Sequence, residues 1–145
     1  MVKSSASQGT GAASVLLVHT NITRLNARAI RAAGYDLQLV EHLTVMDAPE
    51  LEHVVVEDLT KIPNLKSFFI TQAPLLHRIA PLPALPELRT FIVTTSGLTE
   101  VPNLSHVHDK NNGNSSLSYL LAIDLEGNHI KRIPTHALRV RADQV

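Results

Sequence analysis

Residues 88–104, LRTFIVTTSGLTEVPNL, place apolar side chains at Leu88, Phe91, Val93, Leu98 and Val101, at intervals of three, two, five and three. An amphipathic helix repeats near 3.6 residues and a half-buried strand at two, and this stretch keeps neither period for long. It reads instead as L-x-x-F-x-V-x-x-S-x-L-x-x-V. A short strand would run into a bend at Ser96, and two further apolar residues would follow the curve.

The same spacing recurs along the chain. LLAIDLEGNHIKRI sets Leu120, Ile123, Leu125, Asn128, Ile130 and Ile133 on it in full. LKSFFITQA gives Leu65, Phe68, Ile70 and Ala73, and VEHLTVMDA gives Val40, Leu43, Val45 and Ala48. AASVLLVHTNITRL begins the series with Ala12, Val15, Leu17, Thr20, Ile22 and Leu25. The bend positions are therefore 20, 48, 73, 96 and 128, and three of their four separations (28, 25, 23 and 32) fall in the leucine-rich-repeat range. A second pattern supports the first. Four residues after Leu25, Val54 and Ile133 stand Ala29-Ile30, Asp58-Leu59 and Ala137-Leu138, which return an apolar residue to the core. APLPALPEL and VPNLSHVHD replace this tail in the third and fourth repeats and are too proline-broken for a helix.

One such coil cannot bury its own apolar face, so coils must stack on a shared core with their strands in a parallel ladder. The expected fold is a β-rich α/β leucine-rich-repeat solenoid of about five coils, with parallel strands on the concave face and short irregular or helical returns. Strands are predicted near 15–18, 42–46, 67–71, 90–94 and 122–126, adjacent in sequence order. Residues 1–11 read as a flexible tail and 12–145 as the repeat domain, with a loop insertion over 106–117. Only Asn128 keeps the bend asparagine; Thr20 and Ser96 imitate it in part, and Ala48 and Ala73 cannot. The terminal coils carry no polar caps, so apolar faces around Val15, Leu17, Leu125 and Ile133 are expected to be partly uncovered. The competing reading is a globular protein of alternating strands and helices whose spacings coincide.

Composition narrows the function classes. Thirteen basic and thirteen acidic residues cancel, and no basic block exists to supply non-specific nucleic-acid binding. No apolar run approaches the ~20 residues of a membrane-spanning helix, and the first residues, MVKSSASQGTGAAS, lack the apolar segment of a secretory signal. The absence of cysteine removes disulfides, thiolate ligands and thiol nucleophiles together. It favours a reducing compartment, although a fragment without disulfide-bearing ends would look the same.

The segment PELRTFIVTTSGLTEVPNLSHVH resembles the middle of the ectodomain of glycoprotein hormone receptors, where a T/S-G-[ILV] bend leads to a Pro-x-[LV] return. An irregular insertion then precedes a strand similar to LLAIDLEGNHIKRIPTHAL, and the bends of APELEHV and APLLHRI are similar to family bends of the form x-N-L-x-x-I. The resemblance covers residues 12–142. It implies an extracellular segment, at the plasma membrane within a full receptor, that captures a cystine-knot protein hormone. Coupling to a G protein would reside in a cysteine-rich cap, hinge and seven-helix bundle that this sequence does not contain. Three N-x-[ST] sequons, at Asn21, Asn103 and Asn114, agree with export and lie off the expected strands, so glycans there would leave the strand face open.

Strand alternation turns the third, fifth and seventh positions outward. These are His42, Thr44 and Met46; Ser67, Phe69 and Thr71; Thr90, Ile92 and Thr94; and Ala122, Asp124 and Glu126. Met46, Phe69 and Ile92 are expected to form an exposed apolar row with threonines and His42 around it and two carboxylates at one end. Such patches mark protein-interaction sites, although aromatic and β-branched residues also suit strands on propensity alone. No nucleophile elbow, phosphate loop or readable catalytic spacing of Ser, His and carboxylate is present, so the chain is not expected to be an enzyme or to need a cofactor. His106 and His108 have no evident third metal ligand and read as a solvated loop pair. The readings are thus a receptor segment that binds a protein ligand on its concave face or, alternatively, an intracellular repeat scaffold for protein–protein interaction.

Overall fold

The computed structural model describes residues 13–108, 122–135 and 137. Strand β1 (Ala13–Val18) leads into a two-residue strand β2 (Arg24–Leu25) and a short helix α1 (Ala27–Ala32). Next come β3 (Val40–Met46), β4 (His53–Val54) and a 3-10 turn over Val56–Lys61. Strands β5 (Ser67–Thr71), β6 (Thr90–Thr94) and β7 (Ala122–Asp124) complete the order. One five-stranded sheet runs β1-β3-β5-β6-β7, with every neighbouring pair parallel. A second sheet pairs β2 with β4, also in parallel. The protein is a β-rich α/β chain whose main strands sit side by side in sequence order, as expected. β7 ends at Asp124, two residues earlier than the spacing predicts.

The register explains the odd intervals of the sequence. Leu43, Phe68, Phe91 and Ile123 pair across four strands, and Val45, Ile70 and Val93 form the next inward row. All of these are buried except Ile123. Phe68 and Phe91 stack with ring centroids 5.2 Å apart and planes 6° from parallel, an arrangement in-register parallel strands enforce and aromatic quadrupoles tolerate when offset. Burying each such ring stabilises the fold by about 1.5–3 kcal/mol before packing is counted.

Each strand of the five-stranded sheet then meets the same bend. His19, Asp47, Gln72, Thr95 and Gly127 all adopt left-handed backbone, with φ between 48° and 75°. The residue after each is the bend position, and Thr20, Ala48, Ala73 and Ser96 are buried there. Asn128 donates from Nδ2 to the carbonyls of Val93 (2.7 Å) and Leu125 (2.9 Å), and its Oδ1 accepts from the Leu98 amide (3.2 Å). Ser96 Oγ donates to the Thr94 carbonyl at 2.9 Å and accepts from the Ala73 amide at 3.1 Å. Thr20 Oγ1 accepts from the Ile22 amide. Ala48 and Ala73 have no such atom, and backbone turns replace it, with the Leu51 amide donating to Ala48 and that of Leu76 to Ala73. The prolines of APEL and APLL sit at the second turn position, where their fixed φ is an advantage.

The returns follow their composition. Helix α1 is capped by Asn26, whose Oδ1 accepts from the Ala29 amide at 2.8 Å, and buries Ile30. Its first amide, on Ala27, donates to Asp58 Oδ2 (2.9 Å) from the following 3-10 turn, whose Leu59 is buried. That carboxylate satisfies an orphan donor and complements the helix N-terminus, so the Ala27 hydrogen bond, aided by Lys61, holds Asp58 below its usual pKa. The proline-rich return carries no helix. Leu82 and Leu85 turn inward there, and their amides donate to the Asn103 and Val107 carbonyls of the next return. Val107, inside the stretch read as an insertion, is buried in the core.

One end differs from expectation and the other agrees with it. Val15 and Leu17 are each only 1% exposed, so the first unit does not leave its apolar face uncovered. The other end does: Ile123 is 42% exposed and Ile133 68%. The stretches 1–11 and 109–117, read as a tail and as most of an insertion, lie outside the described residues.

Candidate ligand-binding face

The outward positions form three rows across the sheet, fixed by strand register. The first joins Ser14, His42, Ser67, Thr90 and Ala122. In the middle one stand Leu16, Thr44, Phe69, Ile92 and Asp124. The third runs through Val18, Met46, Thr71 and Thr94, and Glu126 continues it past the end of β7 by accepting from the Thr95 amide.

Polar ladders border the apolar centre. His42 Nδ1 and Ser67 Oγ share a hydrogen bond at 2.9 Å, and Thr94 Oγ1 donates to Thr71 Oγ1 at 3.1 Å. One step further, among the left-handed residues, His19 Nδ1 meets Asp47 Oδ2. Between the ladders lie Phe69 and Ile92, half-buried and opposite each other on β5 and β6. Strand spacing of about 4.8 Å brings such side chains into contact. At the β7 end Asp124 and Glu126 are exposed; Asp124 Oδ1 accepts from the Glu126 amide at 3.0 Å. Neither has a cationic partner among the described residues, so the face is negative at this end.

The register corrects the expected apolar row. Met46, 38% exposed, lies opposite Thr71 and not beside Phe69. Thr44 takes the place next to Phe69, and Leu16 the one beyond it. Counting from Val40 already puts Thr44 at the fifth outward position and Met46 at the seventh, so the sequence held this signal. Leu16 and Val18 on β1 were also legible from the alternation, and they widen the apolar centre on the β1 side. It therefore spreads over two rows, through Leu16, Val18, Met46, Phe69 and Ile92.

The remaining candidates fall into place around this face. Asn21 is exposed just past the first bend, and Asn103 sits on the fourth return, both off the strands. Asn103 Oδ1 accepts from the Ser105 amide (2.9 Å) and hydroxyl (2.7 Å), which closes a local turn over its own sequon. Asn114 lies outside the described residues. The His42–Ser67 contact brings an imidazole to a hydroxyl, but His42 has no carboxylate orienting its other ring nitrogen among the described residues. A triad needs that third group. His108 Nε2 bonds the Leu88 carbonyl at 2.9 Å, which anchors its loop to the start of β6. Among the described residues no cluster of three His, Asp or Glu side chains converges on a metal-sized space. No helix among them is long and apolar enough to cross a membrane. Compared with family models, curated proteins and solved structures, the chain matches none.

Proposed function

We propose that the five strand–bend–return units are coils of a leucine-rich-repeat solenoid and that the open face of its sheet binds a protein ligand. The observation that carries the binding reading is the in-register pairing of Phe69 and Ile92 on the outward side of β5 and β6. It is framed by the His42–Ser67 and Thr71–Thr94 hydrogen bonds and ends at Asp124 and Glu126, which have no cationic partner among the described residues. Side chains tied to one another across strands present a rigid rim, and an aromatic and an aliphatic group between them can act as the desolvated anchor of an interface. The repetition of one left-handed residue in all five described units, followed in four of them by a buried bend position, supports the solenoid, since a unit of that kind is completed only by its neighbours. The resemblance of residues 12–142 to glycoprotein hormone receptors makes the ligand a cystine-knot hormone and the setting extracellular. G-protein coupling then belongs to other parts of the receptor.

The test is binding kinetics against a panel of cystine-knot glycoprotein hormones. Phe69→Ala speeds dissociation, and Asp124→Lys with Glu126→Lys slows association, most at low salt, because surface charges act on encounter. The return-side control is Arg28→Glu on α1. Lys61 would be a poor control, since it pairs with Asp58 at 3.2 Å and so supports the cap of α1. Loss of binding in Arg28→Glu with normal binding in the Phe69 and Asp124 variants would overturn the assignment, as would failure of every hormone to bind the unaltered chain.

A further inference from the structure

A cavity of about 530 Å³ opens on the return side of the chain, away from the outward rows of the sheet. Its walls come from three successive returns. Arg78, Glu100 and Arg132 supply charge, and Ile79, Val101 and Ile133 supply the apolar lining. Glu100 and Arg132 are neighbours in a parallel bridge, and the Val101 amide donates to the Arg132 carbonyl at 3.0 Å, so the wall is held by backbone. Arg78 Nε bonds Glu100 Oε1 at 3.0 Å, which occupies that carboxylate. Arg132 has no carboxylate partner among the described residues. Two guanidinium groups against one carboxylate leave the lining with one net positive charge.

We propose that this cavity binds an acidic peptide segment, with a carboxylate on Arg132 and an adjacent aliphatic side chain against Ile133. The volume falls within the range of about 300–1,000 Å³ typical of ligand pockets. Ile133 is the most exposed large apolar side chain described, and burying it is the gain an aliphatic group offers. A planar guanidinium with free donors matches a carboxylate in two-point geometry. Glu100 in the same wall selects against dianions such as phosphate, which its charge repels more strongly than a monoanion. The site is independent of the open face, whose β7 end is negative and would reject the same peptide.

Fluorescence anisotropy on the unglycosylated full chain tests this, since Asn103 also lines the cavity. The probe is a fluorescein-labelled heptapeptide of alternating Asp and Leu, with its Asn–Leu counterpart as the neutral control. The acidic peptide binds at least about tenfold tighter than the neutral one, Arg132→Glu and Arg132→Met both weaken it about tenfold or more, and Glu100→Gln strengthens it. Asp124→Lys on the open face leaves the affinity unchanged, and inorganic phosphate does not displace the peptide. Equal binding of the neutral peptide, wild-type affinity in both Arg132 variants, displacement by phosphate, or tighter binding in Asp124→Lys would each overturn the proposal. None of these outcomes bears on hormone binding at the sheet face.

Discussion

Gly97 is the position where one added methyl group tests the stacking of units most directly. A Cβ built there would stand 2.3 Å from the Pro74 carbonyl oxygen, 3.1 Å from its carbon and 3.0 Å from His77 Nδ1. An ordinary carbon–oxygen contact needs about 3.3 Å, so the two bends must separate by about 1 Å. No rotamer can absorb this, because the obstructing atom is backbone. The bends are also joined by the Ala73 amide on Ser96 Oγ and by His77 Nδ1 on the Gly97 carbonyl at 3.2 Å. Overpacking of this kind costs about 1–3 kcal/mol, and each weakened hydrogen bond adds about 0.5–1.5 kcal/mol. Against that stands a gain of about 0.4–1 kcal/mol from the less flexible unfolded chain. Gly97→Ala is therefore expected to lose about 2–3 kcal/mol, read as a lower urea midpoint at unchanged slope. Gly34→Ala is the control. Its φ is +96° but no atom lies within 4 Å of the added Cβ, so only conformational strain of about 1–2 kcal/mol applies. A Gly97→Ala protein within about 0.5 kcal/mol of wild type would refute the close approach of these bends.

Phe91→Ala removes a fully buried ring stacked on Phe68 and is expected to cost about 3–5 kcal/mol, whereas Thr90→Ala on the outer face stays within about 0.5 kcal/mol; equal losses in urea melts would contradict the register. Asn128→Ala breaks three side-chain bonds to backbone and should lower stability by about 2–3 kcal/mol, more than Thr20→Ala, which breaks one. Asp58 has a depressed pKa in the folded chain, so its contribution is complete above the unfolded value of 3.8 and is lost as pH falls through the lower folded value. Asp58→Asn should accordingly flatten the decline of the urea midpoint below about pH 4, and an unchanged acid limb would show that the cap of α1 carries no charge-dependent stability.

Much of this was legible because strand registers follow from side-chain alternation and four of the five bend positions are buried although Thr, Ala and Ser fill them. The spacing placed Leu43, Phe68 and Phe91 inward and the outer-face residues outward. It also singled out Asn128, whose amide does bond the bend. What escaped the sequence depends on contacts between units. The cavity arises where three returns of unequal length meet, and no single return encodes it. Burial of Val15 and Leu17 could not be read from β1 alone. The left-handed residue before each bend was hidden because His, Asp, Gln, Thr and Gly share no chemical pattern. Only Gly127 signals that backbone by its identity.

That row yields the last prediction. A left-handed backbone costs a non-glycine residue about 1–2 kcal/mol, and a β-branched one such as Thr95, at φ 48°, tolerates it least. The conformation persists because each of these residues extends the sheet by one rung. The amides of His19, Asp47, Gln72 and Thr95 donate to Met46, Thr71, Thr94 and Glu126, at 2.9–3.3 Å. The same turn swings the next residue into the core. The strain thus belongs to the repeating architecture and is not confined to one site, so relieving it should stabilise the chain without altering the bend. Thr95 is exposed, and its hydroxyl makes no hydrogen bond among the described residues, so its replacement breaks none. Thr95→Gly removes the clash and gives back about 0.5–1 kcal/mol through the freer unfolded chain, for a net gain of about 0.5–1 kcal/mol. Thr95→Asn should gain a similar amount, because asparagine accepts this region more readily. A urea midpoint raised by both variants fits a strained rung held in place by its neighbours. If both lower it, the Thr95 side chain contributes a contact that outweighs its backbone strain, and the left-handed row is not a reservoir of strain.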